Sequence, residues 1–169
     1  MMRHFAVALL CLAGLSACGT HPFKPQEYPL RTGLISPFPA TGAVTVNNAQ
    51  TDTQPVIVSS YADISLASSL KDITEVMTRQ TREEIGKNGK AASGAPKTLS
   101  IKVDSLVSKY IAFYYKSTIE FEVTLGDGET VRETVHHGSG VLAQDLDGCI
   151  AEGVMVMLND PRIRNYLSS

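Results

Sequence analysis

Residues 98–135, TLSIKVDSLVSKYIAFYYKSTIEFEVTLGDGETVRETV, decide how this chain folds. Leu99, Ile101 and Val103 alternate with Ser100, Lys102 and Asp104, and later Ile119, Phe121, Val123 and Leu125 alternate with Glu120, Glu122 and Thr124. Successive side chains of a strand point to opposite faces, so each run reads as a strand with one buried face and one wet face. Gly126-Asp127-Gly128 tolerates positive φ, which reverses the chain and returns it as Glu129–His137. The stretch is an antiparallel meander of three strands.

Outward from the meander the pattern changes. Ahead of it, GAVTVNN (42–48) and PVIVSS (55–60) carry the β-branched content and turn flanks of short strands, the second opening at Pro55 as a first or edge position allows. From Asp63 the spacing turns helical: Leu66, Leu70, Ile73 and Met77 fall at steps of four, three and four. Asp63 or Ser65 would cap this helix, and Asn88-Gly89 would stop it in the left-handed region. Its polar face mixes both signs of charge, which marks the apolar stripe as core rather than a membrane-surface face. After the meander, Ala143–Leu158 again fits a helix, with Leu146, Ile150, Val154, Met157 and Leu158 on one side. Gly148 and Gly153 inside it predict close approach to the sheet, because glycine costs about 1 kcal/mol against alanine in a helix interior. Asn159-Asp160-Pro161 ends it, and RIRNYL reads as a last short turn or helix. The expected fold is α+β: a two-layer sandwich with two main helices packed on one face of an antiparallel sheet.

The N-terminal segment reads as a targeting device. Arg3 gives a positive start and Phe5–Leu12 an apolar run; Phe5–Ala17 spans 13 residues, whereas a membrane span needs roughly 20. Leu15-Ser16-Ala17-Cys18 resembles the lipobox of bacterial lipoproteins, which implies cleavage before Cys18 and acylation of its thiol. Several acyl chains together give stable anchoring. Gly19, in place of a retaining aspartate, favours the outer membrane, with the domain facing the periplasm. The expected division is a signal peptide over 1–17, a lipidated cysteine and proline-rich tether over 18–41, and a periplasmic domain over 42–169. The tether expectation rests on five of the eight prolines lying between Thr20 and Thr41, a composition that favours an extended polyproline form.

Of three cysteines, Cys11 leaves with the signal peptide and Cys18 takes lipid, so Cys149 has no intramolecular partner and reads as a small buried side chain. Without the signal peptide the net charge is −3 over 152 residues, which lacks the basic stripe that nucleic acid requires. His136-His137 would point to opposite faces of a strand, a poor arrangement for one metal ion. Asp145-x-Asp147-Gly148 lacks the closing glutamate of a calcium loop, and helix N-capping explains its carboxylates better. Gly138-Ser139-Gly140 lacks the flanks of a nucleophile elbow. No catalytic residue, metal ligand or cofactor is expected, and the chain reads as a non-enzyme.

The most unusual remaining feature is KYIAFYY, 109–115. Tyr110, Phe113, Tyr114 and Tyr115 are candidate partner contacts, since aromatic side chains bury much area with few rotors, although packing at a sheet edge is the commoner use. The lipobox, the tether, the helix LASSLKDITEVMTRQTREEIGKNG and the meander with its following helix resemble the YajG-type family of bacterial lipoproteins. The layout is also similar, at the level of fold, to envelope accessory lipoproteins such as the lipopolysaccharide-assembly lipoprotein LptE. The expected function is a membrane-anchored accessory module binding a protein partner of the envelope. The alternative is a lipid or small-ligand carrier with a cavity between helices and sheet, lined by Met77, Phe121, Met155 and Met157.

Overall fold

The computed structural model describes residues 19–169. The signal segment and Cys18 lie outside the described residues. In chain order the elements are β1 (Gly19–Pro22), β2 (Phe38–Thr41), β3 (Val44–Asn48), β4 (Pro55–Tyr61), β5 (Ile64–Ser69), α1 (Leu70–Asn88), β6 (Gly89–Ala92), β7 (Lys97–Ile111), β8 (Tyr114–Leu125), β9 (Thr130–Ser139), α2 (Leu142–Asn159) and α3 (Pro161–Ser168).

The meander stands as expected: β7, β8 and β9 pair antiparallel in sequence, with Leu99, Ile101, Val103, Ile119, Phe121, Val123 and Leu125 buried. The sheet as a whole is mixed, which corrects the expectation of a purely antiparallel one. Its order is β1-β5-β4-β7-β8-β9, with β3 also paired to β7. Here β3 lies parallel to β7 over Lys97–Ile101, β4 meets β7 in parallel at Ser59 and Ser108, and β1 runs parallel to β5. The physical reason is topological: α1 is the crossover that returns the chain alongside β3 and β4 in their own direction. A second, small sheet of β2 and β6 adds to the expected two layers.

The helices distribute around this frame. α1 packs on β3 and β7, α2 on β8 and β9, and α3 on α2 and β2. α1 begins later than the spacing suggests. Ile64–Ser69 is a strand, and Ser69 is the cap, its hydroxyl accepting from the Asp72 N–H at 3.0 Å. α1 does end at Asn88, but Gly89 has φ −77°, so no left-handed stop is needed: the chain runs straight into β6. Gly153 of α2 lies against Met77, Phe121 and Ile119, and Gly148 against the His137 ring, the close approaches expected of both glycines. Asp160 caps α3 by accepting from the N–H groups of Arg162 and Ile163, with Pro161 in the first turn.

Residues 19–41 do not form a free tether. β1 joins the sheet, Phe23 N–H donates to the Ala67 carbonyl at 2.7 Å, and Phe23, Ile35, Phe38 and Ala40 are buried in the core. Polar contacts hold the stretch to both long helices: Gln80 Nε2 donates to Tyr28 O at 2.7 Å, Gln26 N–H to Asp147 at 2.9 Å, and Asn159 Nδ2 to Leu34 O at 2.9 Å. Its composition disfavours helix, but its spaced apolar side chains bury enough surface to fix it as a strap.

Candidate contact surface at one end of the sheet

Two tight hairpins end side by side. β4 and β5 turn at Ala62-Asp63, and β7 and β8 turn at Ala112-Phe113, with Ala62 at φ 51° and Ala112 at φ 56°. At the second tip Phe113 N–H donates to Ile111 O at 2.7 Å, the closure of a γ-turn, which turns the Phe113 side chain outward. Phe113 is 91% exposed.

The register places one row of residues across the sheet at this end. Gly19 pairs with Ile64, Ile64 with Tyr61, Tyr110 with Tyr115, and Tyr115 with Ser139. The Tyr61 and Tyr110 ring centroids lie 4.6 Å apart and those of Tyr110 and Tyr115 5.2 Å apart, each pair tilted by 57°, so three tyrosines from three strands pack in a row at inclined angles. Tyr61, Ile64, Tyr110, Ile111, Phe113 and Tyr114 are all exposed, and Tyr115 is half-buried. Thus all four aromatics singled out in the sequence lie at one end of the sheet, Tyr110 and Tyr115 on one face and Tyr114 on the other, and this end also gathers Tyr61 and Ile64 from a hairpin that the sequence did not suggest. Behind the tip, exposed Lys109 and Lys116 sit directly opposite each other.

Two residues inward runs a polar row: Ser59 pairs with Ser108, Ser108 with Ser117, and Ser117 with His137. Asp145 of α2 is fully buried above it and accepts hydrogen bonds from Ser108 Oγ at 2.6 Å and from Ser117 Oγ. Asp145 therefore does not cap α2 as expected; the capping position is Val141, with no side-chain bond. Its place in the first helical turn still favours a carboxylate. Asp145 Oδ1 and Ser59 Oγ have no protein partner. The next row, Leu106, Ile119 and Val135, begins the apolar core. The aromatic end is thus a separate apolar surface, cut off from the core by hydroxyls and a carboxylate.

His136 and His137 face opposite ways. His136 Nδ1 meets Thr118 Oγ1 at 2.9 Å, and His137 Nδ1 meets Glu152 Oε2 at 2.7 Å. Among the described residues no group of three His, Cys, Asp or Glu side chains is placed to hold a metal ion. Cys149 is buried beside Val135. Burial, reinforced by the Asp145 and Glu152 carboxylates, pushes its thiol up to about 12.

The expected carrier cavity is not where the sequence placed it. Met77, Phe121 and Met157 are fully buried in the packed core, and Met155 lines a surface cleft of about 440 Å³ between the strap and α2. Tyr28, Leu30 and Leu34 form one wall, with His137 and Glu152 opposite. The buried serines were the signal that could have found the polar row: Ser108 and Ser117 occupy inward positions where the alternation calls for apolar residues.

No protein-family model and no curated protein matches the chain. Among solved structures it is similar to protein XCC0632 from Xanthomonas campestris, described under the family model DUF330, at 14% identity and a TM-score of 0.43, with 83% of this chain and 92% of that chain covered. No helix among the described residues is long and apolar enough to cross a membrane.

Proposed function

We propose that the chain is a lipid-anchored envelope protein, acylated at Cys18 and held at the outer membrane with its domain on the periplasmic side, where it acts by contact rather than catalysis. In this reading it is an accessory module for envelope assembly or transport and has a protein partner there. It keeps the resemblance of the sequence to the YajG-type family as an analogy. The observation that carries the anchoring is that the exposed aromatic end of the sheet lies beside Gly19, the residue that follows the lipobox cysteine; the protein partner is read as meeting another part of the domain.

The test is fractionation and crosslinking in intact cells. The parent is expected in the outer-membrane fraction with an acylated N-terminal cysteine and a discrete crosslinked protein; Cys18→Ala is expected to leave the membrane. Recovery of abundant bystanders alone would sink the accessory role. A second reading, a small-ligand or lipid carrier, draws on the cleft beneath the strap with its apolar wall and the His137–Glu152 pair. Native mass spectrometry of the intact protein would then show a retained ligand that is lost on Leu34→Glu.

A further inference from the structure

The geometry points to the lipid bilayer itself as what the aromatic end of the sheet touches: the tips of the β4–β5 and β7–β8 hairpins seat in the interfacial region of the membrane that holds Cys18. This inference rests on the acylation of Cys18 proposed above and names the partner of that same surface.

The first support is the reach of the chain. Gly19 N–H donates to the Asp63 carbonyl at 3.1 Å, and Gly19 pairs with Ile64 beside the β4–β5 turn. Consecutive Cα atoms lie about 3.8 Å apart across a trans peptide, so an acyl group carried by the residue before Gly19 would be attached at this end of the sheet. With the strap bonded to the domain instead of free, the acyl chains enter the bilayer next to the tyrosine row. An end-on docking of the strands is consistent with that attachment point.

Chemistry is the second support. Tyrosine is suited to the membrane–water boundary because its ring is apolar while its hydroxyl stays wet, and Tyr61, Tyr110 and Tyr114 supply three such rings. Phe113, without a hydroxyl, stands furthest out, where only acyl chains would satisfy it. Lys109 and Lys116 face each other across β7 and β8, a like-charge pairing that is unfavourable in isolation. Lipid phosphates just above the aromatic layer would relieve it, since an anionic surface attracts lysines held near it. The polar row beneath the tyrosines adds a third support. It shows that the exposed aromatics are not the frayed margin of the core, since Asp145 and its serines lie between.

The sequence contains no tryptophan, so one substitution creates a unique reporter. Full-length protein is purified from cells, the acylation of Cys18 is read by mass, and Phe113→Trp is reconstituted into vesicles of phosphatidylethanolamine and phosphatidylglycerol with or without brominated acyl chains. Short-range quenching by bromine should lower the Phe113→Trp emission about twofold, as for a side chain within an interfacial aromatic belt. Asp127→Trp, in the β8–β9 turn at the far end of those strands, should be unaffected, and Tyr61→Trp reports independently from the neighbouring hairpin. Acylated protein in which neither Phe113→Trp nor Tyr61→Trp is quenched overturns the inference. So does a photo-crosslinker at position 113 that captures a discrete protein and no lipid in intact cells. Absence of acyl chains on Cys18 instead removes the anchoring reading, and the two failures are told apart by the mass measurement.

Discussion

Asp145 has exchanged water for two serine hydroxyls, and a cationic partner is not among its hydrogen-bonded neighbours. Removing its carboxylate leaves the Ser108 and Ser117 hydroxyls buried without an acceptor, so Asp145→Ala should lower the unfolding free energy by about 2–4 kcal/mol in urea titrations. Asp145→Asn should cost less, because an amide oxygen still accepts from one hydroxyl. Cys149 supports a second prediction at this scale. Its thiol is fully buried and held near 12 by burial and by two carboxylates, so a thiol-specific reagent at neutral pH should label it only after unfolding. Labelling of the native protein as fast as in denaturant would contradict the packing of α2 on β9. The sequence foretold the buried cysteine, since its helix is apolar around it. Asp145 was misread because a carboxylate in a first helical turn is usually a cap, and nothing local shows that two serines from other strands lie beneath it.

Among the elements, α3 depends most on one capping residue. Asp160 accepts from the Arg162 and Ile163 N–H groups, and the Arg162 guanidinium beside it holds its carboxyl down at about 2, against the burial that would raise it. A carboxyl depressed on folding adds stability that is present above its ordinary value of 3.8 and is lost as pH falls through about 2. Asp160→Ala should therefore cost about 1–2 kcal/mol at neutral pH, the usual worth of a cap, and the gap to the parent should close between about pH 4 and pH 2 in acid-denaturation curves. Glu133, raised by its burial and by the nearby Asp160, works in the opposite direction and in a separate window, above its ordinary value of 4.5. Most elements were legible because local period decided them: the meander, α1 beyond Leu70, and α2 through Met157. β5 was not, since Leu66 continues the spacing of Leu70, Ile73 and Met77, and pairing with β4 and β1 pulls Ile64–Ser69 out of the helix. The strap was misread for a related reason: prolines report the backbone form of a segment, whereas burial of Phe23, Ile35 and Phe38 is decided by partners far along the chain.

As a whole molecule, the protein carries its exposed apolar side chains unevenly, with Tyr61, Ile64, Tyr110, Ile111, Phe113 and Tyr114 at one end. A clustered apolar surface in water promotes association. The Cys18→Ala chain, purified without detergent, should therefore self-associate with rising concentration in sedimentation velocity, and adding Phe113→Asp should restore the monomer. If both variants sediment alike, the aromatic end is too small or too rigidly wet to drive contact. The parallel pairings that build this end were illegible in the sequence, because they join β1 to β5 and β4 to β7 through segments with no shared local pattern.

The way β1 enters the sheet also sets how the protein bears load. Because β1 runs parallel to β5 and its first residue lies at the sheet end, a pull on the preceding residue acts along the strand axis. The hydrogen bonds between Gly19–Pro22 and Ile64–Ala67 then resist in shear and share the force, whereas a pull across the strands would open them one after another. Under the anchoring proposed above, motion of the membrane relative to the domain would be passed by this short strand into the whole sheet.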